Sequence, residues 1–183
     1  MSHPISIRLM QPADLDTLCF ICREAYSRNF HHHWDAGGLE GYLEMVFGRT
    51  ILAAELADPD IRYYVAFQQE APVAFIKMNL RSNLPGEPAE EGVELDKLYI
   101  LPGLQGLKIG GRLIDLVFQA AATMDKRVCW LAVLDTNKPA IAFYERYGFR
   151  FHSTTRVGYP GFREELRGMW RMLMEIKKDA PAV

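Results

Sequence analysis

The stretch Glu94-Leu-Asp-Lys-Leu-Tyr-Ile-Leu-Pro-Gly-Leu-Gln-Gly-Leu-Lys-Ile-Gly-Gly-Arg-Leu-Ile114 decides how the chain is organised. Its first part reads as a strand with two alternating sets of residues, Val93, Leu95 and Tyr99 against Glu94, Asp96, Leu98 and Ile100. Pro102-Gly103 interrupts the strand, and a helix with a glycine-rich entry follows. Free N–H groups of a first helical turn, together with the helix dipole, attract anions, so this arrangement predicts a phosphate-binding turn.

The glycines of this turn do not fit the two best-known phosphate loops. No Gly-Lys-Ser/Thr follows, which excludes a Walker A loop. Gly106, Gly110 and Gly111 also lack the G-x-G-x-x-G spacing of a dinucleotide-binding fold. Two interpretations stay open at this point: a diphosphate held on a helix N-terminus, or glycines that only permit close helix–sheet packing.

Composition sets limits on the class of protein. The 183 residues predict one domain over 1–183, with an ordered core at about 5–176 and a short C-terminal tail. The net charge of −2 predicts no nucleic-acid partner. Three cysteines without framework spacing, no signal peptide and no long apolar run predict a cytoplasmic protein with no membrane partner.

Periodicity predicts alternating strands and helices around the central stretch. We expect a helix opening at Pro12, a helix from about Leu39, a continuation over Ile51 to Leu56, a helix whose entry holds Gly106, Gly110 and Gly111, and a short helix capped by Thr136 or Asn137. The expected strands are 5–10, 61–68, 73–80, 93–100, 128–134, 149–158 and 168–177. Residues 81–92 read as a loop.

Two further groups could carry chemistry. Cys19-x-x-Cys22 is either a redox or metal pair or, as we favour, two small core residues, and we predict no metal site. Residues 27–38 read as a loop, in which His31 to His33, Trp34 and Asp35 could bind metal or grip a substrate. A polar loop with an anchoring Trp34 is the favoured interpretation, and a substrate-side loop is the second.

Two motifs resemble the GNAT acetyltransferase superfamily. Gln105-Gly-Leu-Lys-Ile-Gly110, with Tyr99 six residues upstream, resembles its motif A, and Asn137-Lys-Pro-Ala-Ile-Ala-Phe-Tyr-Glu-Arg-Tyr-Gly-Phe149 resembles motif B. The resemblance covers the order of elements from 5 to about 176. It implies an α+β GNAT fold: a mixed, mostly antiparallel central sheet of about seven strands, with a parallel, splayed central pair, flanked by helices. Residues 36–58 and the following hairpin also resemble the bacterial spermine/spermidine acetyltransferase-like branch.

The resemblance implies acetyl-CoA as cosubstrate. The backbone of Leu98, Tyr99 and Ile100 would pair with the pantetheine arm, and Asn137 would bond to that arm or hold the next helix. The diphosphate would lie on the N–H groups of the turn, at Gln105, Gly106, Leu107, Lys108, Ile109, Gly110 and Gly111. Lys108 departs from the family pattern, which usually has a glycine there, so its side chain must point away from the diphosphate or contact a phosphate.

The implied reaction is direct attack of a neutral amine on the thioester. Tyr144 resembles the general acid of the family, and its alternative role is aromatic packing. Glu94, or Asp96 two residues on, could accept the proton of the amine directly or through water, unless both are solvated carboxylates. Tyr144 and Glu94 are therefore the predicted catalytic residues.

The acceptor is not fixed by the sequence. We expect a small-molecule amine, polyamine-like or another primary amine, because Glu90-Glu-Gly-Val-Glu94-Leu-Asp96 could form an acidic pocket or else a solvated acidic loop. A protein N-terminus or lysine is another acceptor class. A non-catalytic acyl-CoA-binding or sensing domain, and a scaffold without ligand, are the competing functions. The Arg/Glu run at 163–167 would shape the acceptor side or a homodimer interface.

Overall fold

The structure is a computed structural model that describes residues 4–85, 92–104 and 107–176. Within these ranges, seven strands form one sheet in the order β1-β2-β3-β4-β5-β7-β6. Neighbouring strands are antiparallel except for β4 and β5, which are parallel. The strands are β1 (Ile5–Leu9), β2 (Ile61–Gln68), β3 (Ala71–Asn79), β4 (Gly92–Ile100), β5 (Val128–Leu134), β6 (Arg150–Arg156) and β7 (Gly168–Glu175).

Helices cover both faces of the sheet and bury two cores. The helices are α1 (Leu15–Phe30), α2 (Gly38–Phe47), α3 (Arg49–Ala57), α4 (Ile109–Thr123) and α5 (Lys138–Arg146). One core joins the sheet to α4 and α5, and the other joins it to α1, α2 and α3. The continuous apolar run of β5 fits this arrangement, since a strand covered on both faces needs no polar side. The predicted α+β fold is confirmed.

The two parallel strands diverge in the middle of the sheet. Their pairing covers only Gly92 to Leu95 of β4 against Val128 to Leu131 of β5. Beyond Leu95, β4 stays paired with β3 as far as Ile100, whereas β5 stays paired with β7. The facing edges of the two strands therefore separate into a wedge, as the family resemblance implied.

Strand β4 does not alternate regularly, which corrects the sequence-based expectation. Its register against β3 shifts by one residue, because Lys77 opposes Lys97 while Met78 opposes Leu95. Asp96 is the extra residue of this β-bulge. Leu98 and Ile100 consequently pack against the same core as Val93 and Leu95, not on the opposite face.

The expected loop at 27–38 is also partly wrong. Helix α1 continues to Phe30, and His31–His33 form a 3-10 turn directly after it. The helical period simply runs on through Ser27 to Phe30, since no breaker residue stops it. None of the helices in the described ranges is long and apolar enough to cross a membrane.

Candidate active site

A cavity of about 610 Å³ lies at the wedge between β4 and β5. Its wall combines residues of the α4–α5 core, such as Leu95 and Tyr144, with residues of the α1–α3 core, such as Tyr26 and Phe162. The cavity therefore passes through the sheet where the strands have separated. A ligand that enters from the α4–α5 side of the sheet could therefore meet a second ligand that enters from the α1–α3 side.

Most of the predicted site residues that the structure describes reach this cavity. The residues on its wall are Glu94, Leu98, Tyr99, Ile100, Gly110, Asn137 and Tyr144. Leu107, Lys108, Ile109 and Gly111 lie at the start of α4 and do not contribute to the wall. Gln105 and Gly106 lie outside the described residues, as do Glu90 and Glu91 of the predicted acidic pocket.

The N-terminus of helix α4 has no side-chain cap, so its N–H groups could bind an anion. Lys108 is its N-cap with φ 56° and ψ 19°, and it forms no side-chain cap hydrogen bond. This left-handed conformation explains why glycine is favoured there, because an L side chain costs free energy in it. Gly111 also serves packing, since a Cβ there would lie 2.5 Å from the hydroxyl oxygen of Tyr147, the residue that follows α5. The start of α4 is therefore compatible with both interpretations of the glycines: a diphosphate held on the helix N-terminus, and close packing of the helix.

Helix α5 begins differently. The Asn137 Oδ1 accepts a hydrogen bond from the Ala140 N–H at 3.3 Å, and proline occupies the first turn, which fixes the helix start. The helix then presents Tyr144 to the cavity. Asn137 thus caps the helix that carries the predicted acid, which is one of the two roles expected for it.

Tyr144 is a buried phenol on the cavity wall. Its ring contacts the rings of Phe143 and Phe149 edge-on, at centroid distances of 5.3 and 5.9 Å. Burial raises the pKa of Tyr144 well above its ordinary value, and the neighbouring Cys129 adds to that rise. The phenol consequently keeps its proton at neutral pH. Packing and proton donation are compatible here, because the same side chain lines the cavity.

Glu94 is held by neutral donors. The Asn79 Nδ2 and the Ser82 Oγ both donate to its Oε2 at 2.8 Å. Ser82 is itself anchored, because its carbonyl oxygen accepts from the Trp130 Nε1 at 3.0 Å. Within the described ranges Glu94 forms no ion pair, so its negative charge stays available to the cavity.

Asp96, the alternative base, sits in a buried ionic network. Lys77 Nζ lies 2.9 Å from its Oδ2 and Lys97 Nζ lies 2.8 Å from its Oδ1. Lys77 also pairs with Glu55 of α3, at 2.5 Å. Burial alone would raise the pKa of Asp96, but the two ammonium groups outweigh it and lower the pKa to about 2. A carboxylate this weakly basic is a poor acceptor for the proton of an amine.

The cavity wall on the α1–α3 side is made of aromatic rings. The sequence did not predict this group of residues. Tyr26 of α1 stacks on Tyr42 of α2 at 4.4 Å, and Tyr42 meets Tyr159 edge-on at 4.7 Å. Tyr26 also contacts Tyr99 of β4 edge-on at 5.5 Å, and Phe162 completes this part of the wall. These residues come from four separate segments, so no local pattern could have joined them.

The predicted histidine loop supports this aromatic wall. His33 is buried between the rings of Phe30 and Phe162, and Trp34 contacts both Tyr42 and Phe162. The backbone of this segment is tied to the C-terminal part of the chain, because the Asp35 N–H donates to the Gly161 carbonyl oxygen at 2.8 Å. Trp34 therefore anchors this segment as expected, but His33 is buried against aromatic rings and is not part of a polar loop.

Metal ligation finds no support among the described residues. Cys22 is fully buried in the α1–α3 core and Cys19 is partly buried, and both are free thiols. The part of the chain that the structure describes holds no group of three or more His, Cys, Asp or Glu side chains placed to bind a metal ion. Core packing accounts for both cysteines.

Comparison with known families decides the class of this protein. Residues 21–149, which are more than half of the chain, match the acetyltransferase (GNAT) family. The chain belongs to the GNAT acetyltransferase family. This GNAT protein is therefore an acyltransferase of the N-acetyltransferase type, and the family resemblance of its two motifs is confirmed.

Several relatives of this GNAT protein have named activities. It is 26% identical to a spermidine N(1)-acetyltransferase of Thermoplasma acidophilum, over 82% of this chain and 91% of the relative. It is 27% identical to an aminoalkylphosphonate N-acetyltransferase of Salmonella typhimurium, over 61% of this chain and 71% of that protein.

Solved structures share the same fold. The PaiA N-acetyltransferase of Thermoplasma acidophilum, solved in complex with coenzyme A, aligns over 94% of this chain and 99% of its own, with a TM-score of 0.75 and 22% identity. A probable acetyltransferase from Staphylococcus epidermidis aligns over 95% of this chain and 100% of its own, with a TM-score of 0.72 and 19% identity. At these identities the likeness establishes the fold.

Proposed function

We propose that this protein transfers an acetyl group from acetyl-CoA to a small primary amine, with Tyr144 as general acid and Glu94 as general base. The observation that carries the proposal is that one cavity crosses the sheet and has both side chains on its wall. The cavity volume of about 610 Å³ favours a small molecule over a folded protein as acceptor. Relatives named for spermidine and aminoalkylphosphonate acetylation support the same acceptor class.

The start of α4 and the wedge fit an acyl-CoA cosubstrate. The separated edge of β4, at Leu98 to Ile100, offers main-chain groups to an extended arm. The N-terminus of α4, which has no side-chain cap, offers N–H groups to a diphosphate, and the exposed Lys108 could add a point charge. Acetyl-CoA would supply an activated acetyl thioester, and the chain would supply positioning and proton transfer.

The two proposed catalytic side chains would have complementary roles in proton transfer. Glu94 would accept the proton of the acceptor amine, because its charge is not neutralised by a cation in the described residues. Tyr144 would hold a proton at its hydroxyl oxygen for the departing sulfur, because burial raises its pKa. An acid and a base on one cavity favour catalysis over a non-catalytic acyl-CoA-binding role.

The test is release of CoA thiol from acetyl-CoA over a panel of primary amines. We expect amine-dependent thiol release, and a Tyr144→Phe variant should lower kcat by at least about tenfold with little change in acetyl-CoA affinity. Acetyl-CoA should also raise Tm, because it would bind only the folded state. Unchanged turnover in the Phe variant would remove Tyr144 from the mechanism, and no thermal shift at saturating acetyl-CoA would contradict the cosubstrate.

A further inference from the structure

The charges at the strand side of the cavity largely cancel. Asp96 and Lys97 both line the cavity, and they belong to one network with Lys77 and Glu55. Two ammonium groups and two carboxylates sum to zero. Asp96 therefore does not present a free negative charge to a bound ligand, although it is a cavity residue.

The two remaining charged residues on the described cavity wall, Arg156 and Glu94, differ in whether an ion pair compensates their charge. Arg156 at the mouth forms an ion pair with Glu164, so its charge is also compensated. Glu94 accepts from the neutral side chains of Asn79 and Ser82. Within the described part of the chain, Glu94 is thus the cavity carboxylate that no cation neutralises. Among the described cavity residues, the one uncompensated carboxylate matches one ammonium group.

The rest of the acceptor side is built from aromatic rings. The ring of Tyr26 contacts those of Tyr42 and Tyr99, and the ring of Tyr42 contacts that of Tyr159, which is 36% exposed. Phe162 also lines this part of the cavity. Aromatic side chains pack well against the face or edge of another ring. Among the described cavity residues, a flexible chain with several cations would meet few carboxylates, whereas a flat apolar body would meet rings on several sides.

We propose that the acceptor is a primary monoamine carrying an aromatic body, an arylalkylamine, whose amine faces Glu94 while its ring packs among Tyr26, Tyr42 and Tyr159. This assignment rests on the acetyl transfer proposed above. It disfavours a polyamine, which would need more uncompensated acidic groups than the described cavity residues provide, and it disfavours amino acids, whose carboxylate would be held close to Glu94.

The first experiment compares three amines with the wild-type protein at saturating acetyl-CoA. 2-Phenylethylamine has one amine and one ring, spermidine has several amines and no ring, and L-phenylalanine adds a carboxylate to the same ring. We expect kcat/KM for 2-phenylethylamine to exceed that of either other compound by about tenfold or more. An equal or higher kcat/KM for spermidine would overturn the inference.

The second experiment tests the aromatic wall directly. The preference is measured as the ratio of kcat/KM for 2-phenylethylamine to that for n-butylamine. Tyr159→Ala, at a partly exposed position that should tolerate truncation, is expected to lower this ratio about fivefold. Phe151→Ala is the matched control, because Phe151 is an exposed ring that contacts Trp170 away from the cavity. An unchanged ratio in the Tyr159 variant, or an equal loss in the control, would contradict the role of the wall.

Calorimetry separates this inference from the proposed function. If no amine releases thiol, the proposed acetyl transfer fails, but binding of 2-phenylethylamine and spermidine to the CoA-saturated protein still decides the acceptor class. Tighter binding of 2-phenylethylamine supports the inference. Tighter binding of spermidine, or no binding of the aromatic amine, overturns it. If spermidine is acetylated best, the proposed function stands and only the acceptor class is wrong.

Discussion

Glu94 and Asp96 lie two residues apart on β4 and both line the same cavity, yet their side chains have different neighbours. Glu94 accepts hydrogen bonds from an amide and a hydroxyl group. Asp96 lies between two lysines that neutralise it and lower its pKa to about 2. Two carboxylates that look equivalent in the sequence are therefore suited to different roles, proton transfer for Glu94 and ion pairing for Asp96.

The bulge explains this division of roles. Asp96 is the extra residue of β4, and its carboxylate pairs with Lys97, the next residue in the chain, and with Lys77 of β3. The resulting network connects the bulged strand to Glu55 of α3. We infer that Asp96 serves the structure of the wedge, whereas Glu94 serves the chemistry in it. The following changes would separate these two roles.

The largest effect is expected from Glu94→Gln. This change keeps the shape of the side chain but removes the proposed base, so kcat/KM should fall by about 10²- to 10⁴-fold. Steady-state thiol release over a range of pH is the measurement. A matched Asp96→Asn variant should lose more stability and less activity than the Glu94 variant. The reverse order would exchange the roles of the two carboxylates.

The next largest effect is expected from Lys77→Met. Lys77 is buried, and its removal leaves Glu55 without its ion pair and Asp96 with one lysine fewer. Breaking a buried ion pair in this way should lower the free energy of unfolding by about 3–5 kcal/mol, measured by urea unfolding. Arg81→Met is the control, since Arg81 pairs with Asp60 at the exposed surface and should cost at most about 1 kcal/mol. Equal losses would mean that the network does not stabilise the fold.

A smaller effect is expected from pH. The pKa of Asp96 is lowered in the folded state from its ordinary value of 3.8 to about 2, so its stabilising contribution is present above pH 3.8 and is lost as the pH falls towards 2. That contribution is about 2 kcal/mol. Lys77, whose pKa is raised even though burial would lower it, stays charged throughout this window.

Unfolding curves of the wild type and Asp96→Asn between pH 6 and 2 provide the measurement. The variant lacks the titrating group, so the difference in stability between the two proteins should shrink as the pH falls below about 3.8. A difference that stays constant over the whole range would show that Asp96 is not stabilised by the lysines.

The smallest effect is expected from Ser82→Ala. It removes one of the two hydrogen bonds to Glu94 Oε2 and leaves the Asn79 bond in place. We expect kcat/KM to fall about fivefold, with stability little changed, because the side chain is less well positioned. Ser153→Ala on β6, outside the cavity wall, is the control for loss of a serine hydroxyl group. A loss of activity as large in the control would contradict a specific role for Ser82.

Much of the fold could be predicted from local patterns. The apolar run Val128–Leu134 defines β5 from end to end, and the capping signal at Asn137 marks the start of α5. Helical period and strand alternation act over a few residues, so the sequence displays them directly. The sequence also indicated Glu94 and Tyr144 as candidates, because they fall at motif positions on such elements.

Tertiary structure alone decided what surrounds those candidates. The bulge at Asp96, the lysine from β3, the glutamate from α3 and the aromatic wall from four segments all depend on contacts between residues far apart in the chain. The charge that a carboxylate presents to a ligand depends on such neighbours and on burial, neither of which has a local signal. The sequence by itself therefore determined the order of elements and the family. The packing of distant segments decided which of the described cavity carboxylates keeps its charge uncompensated.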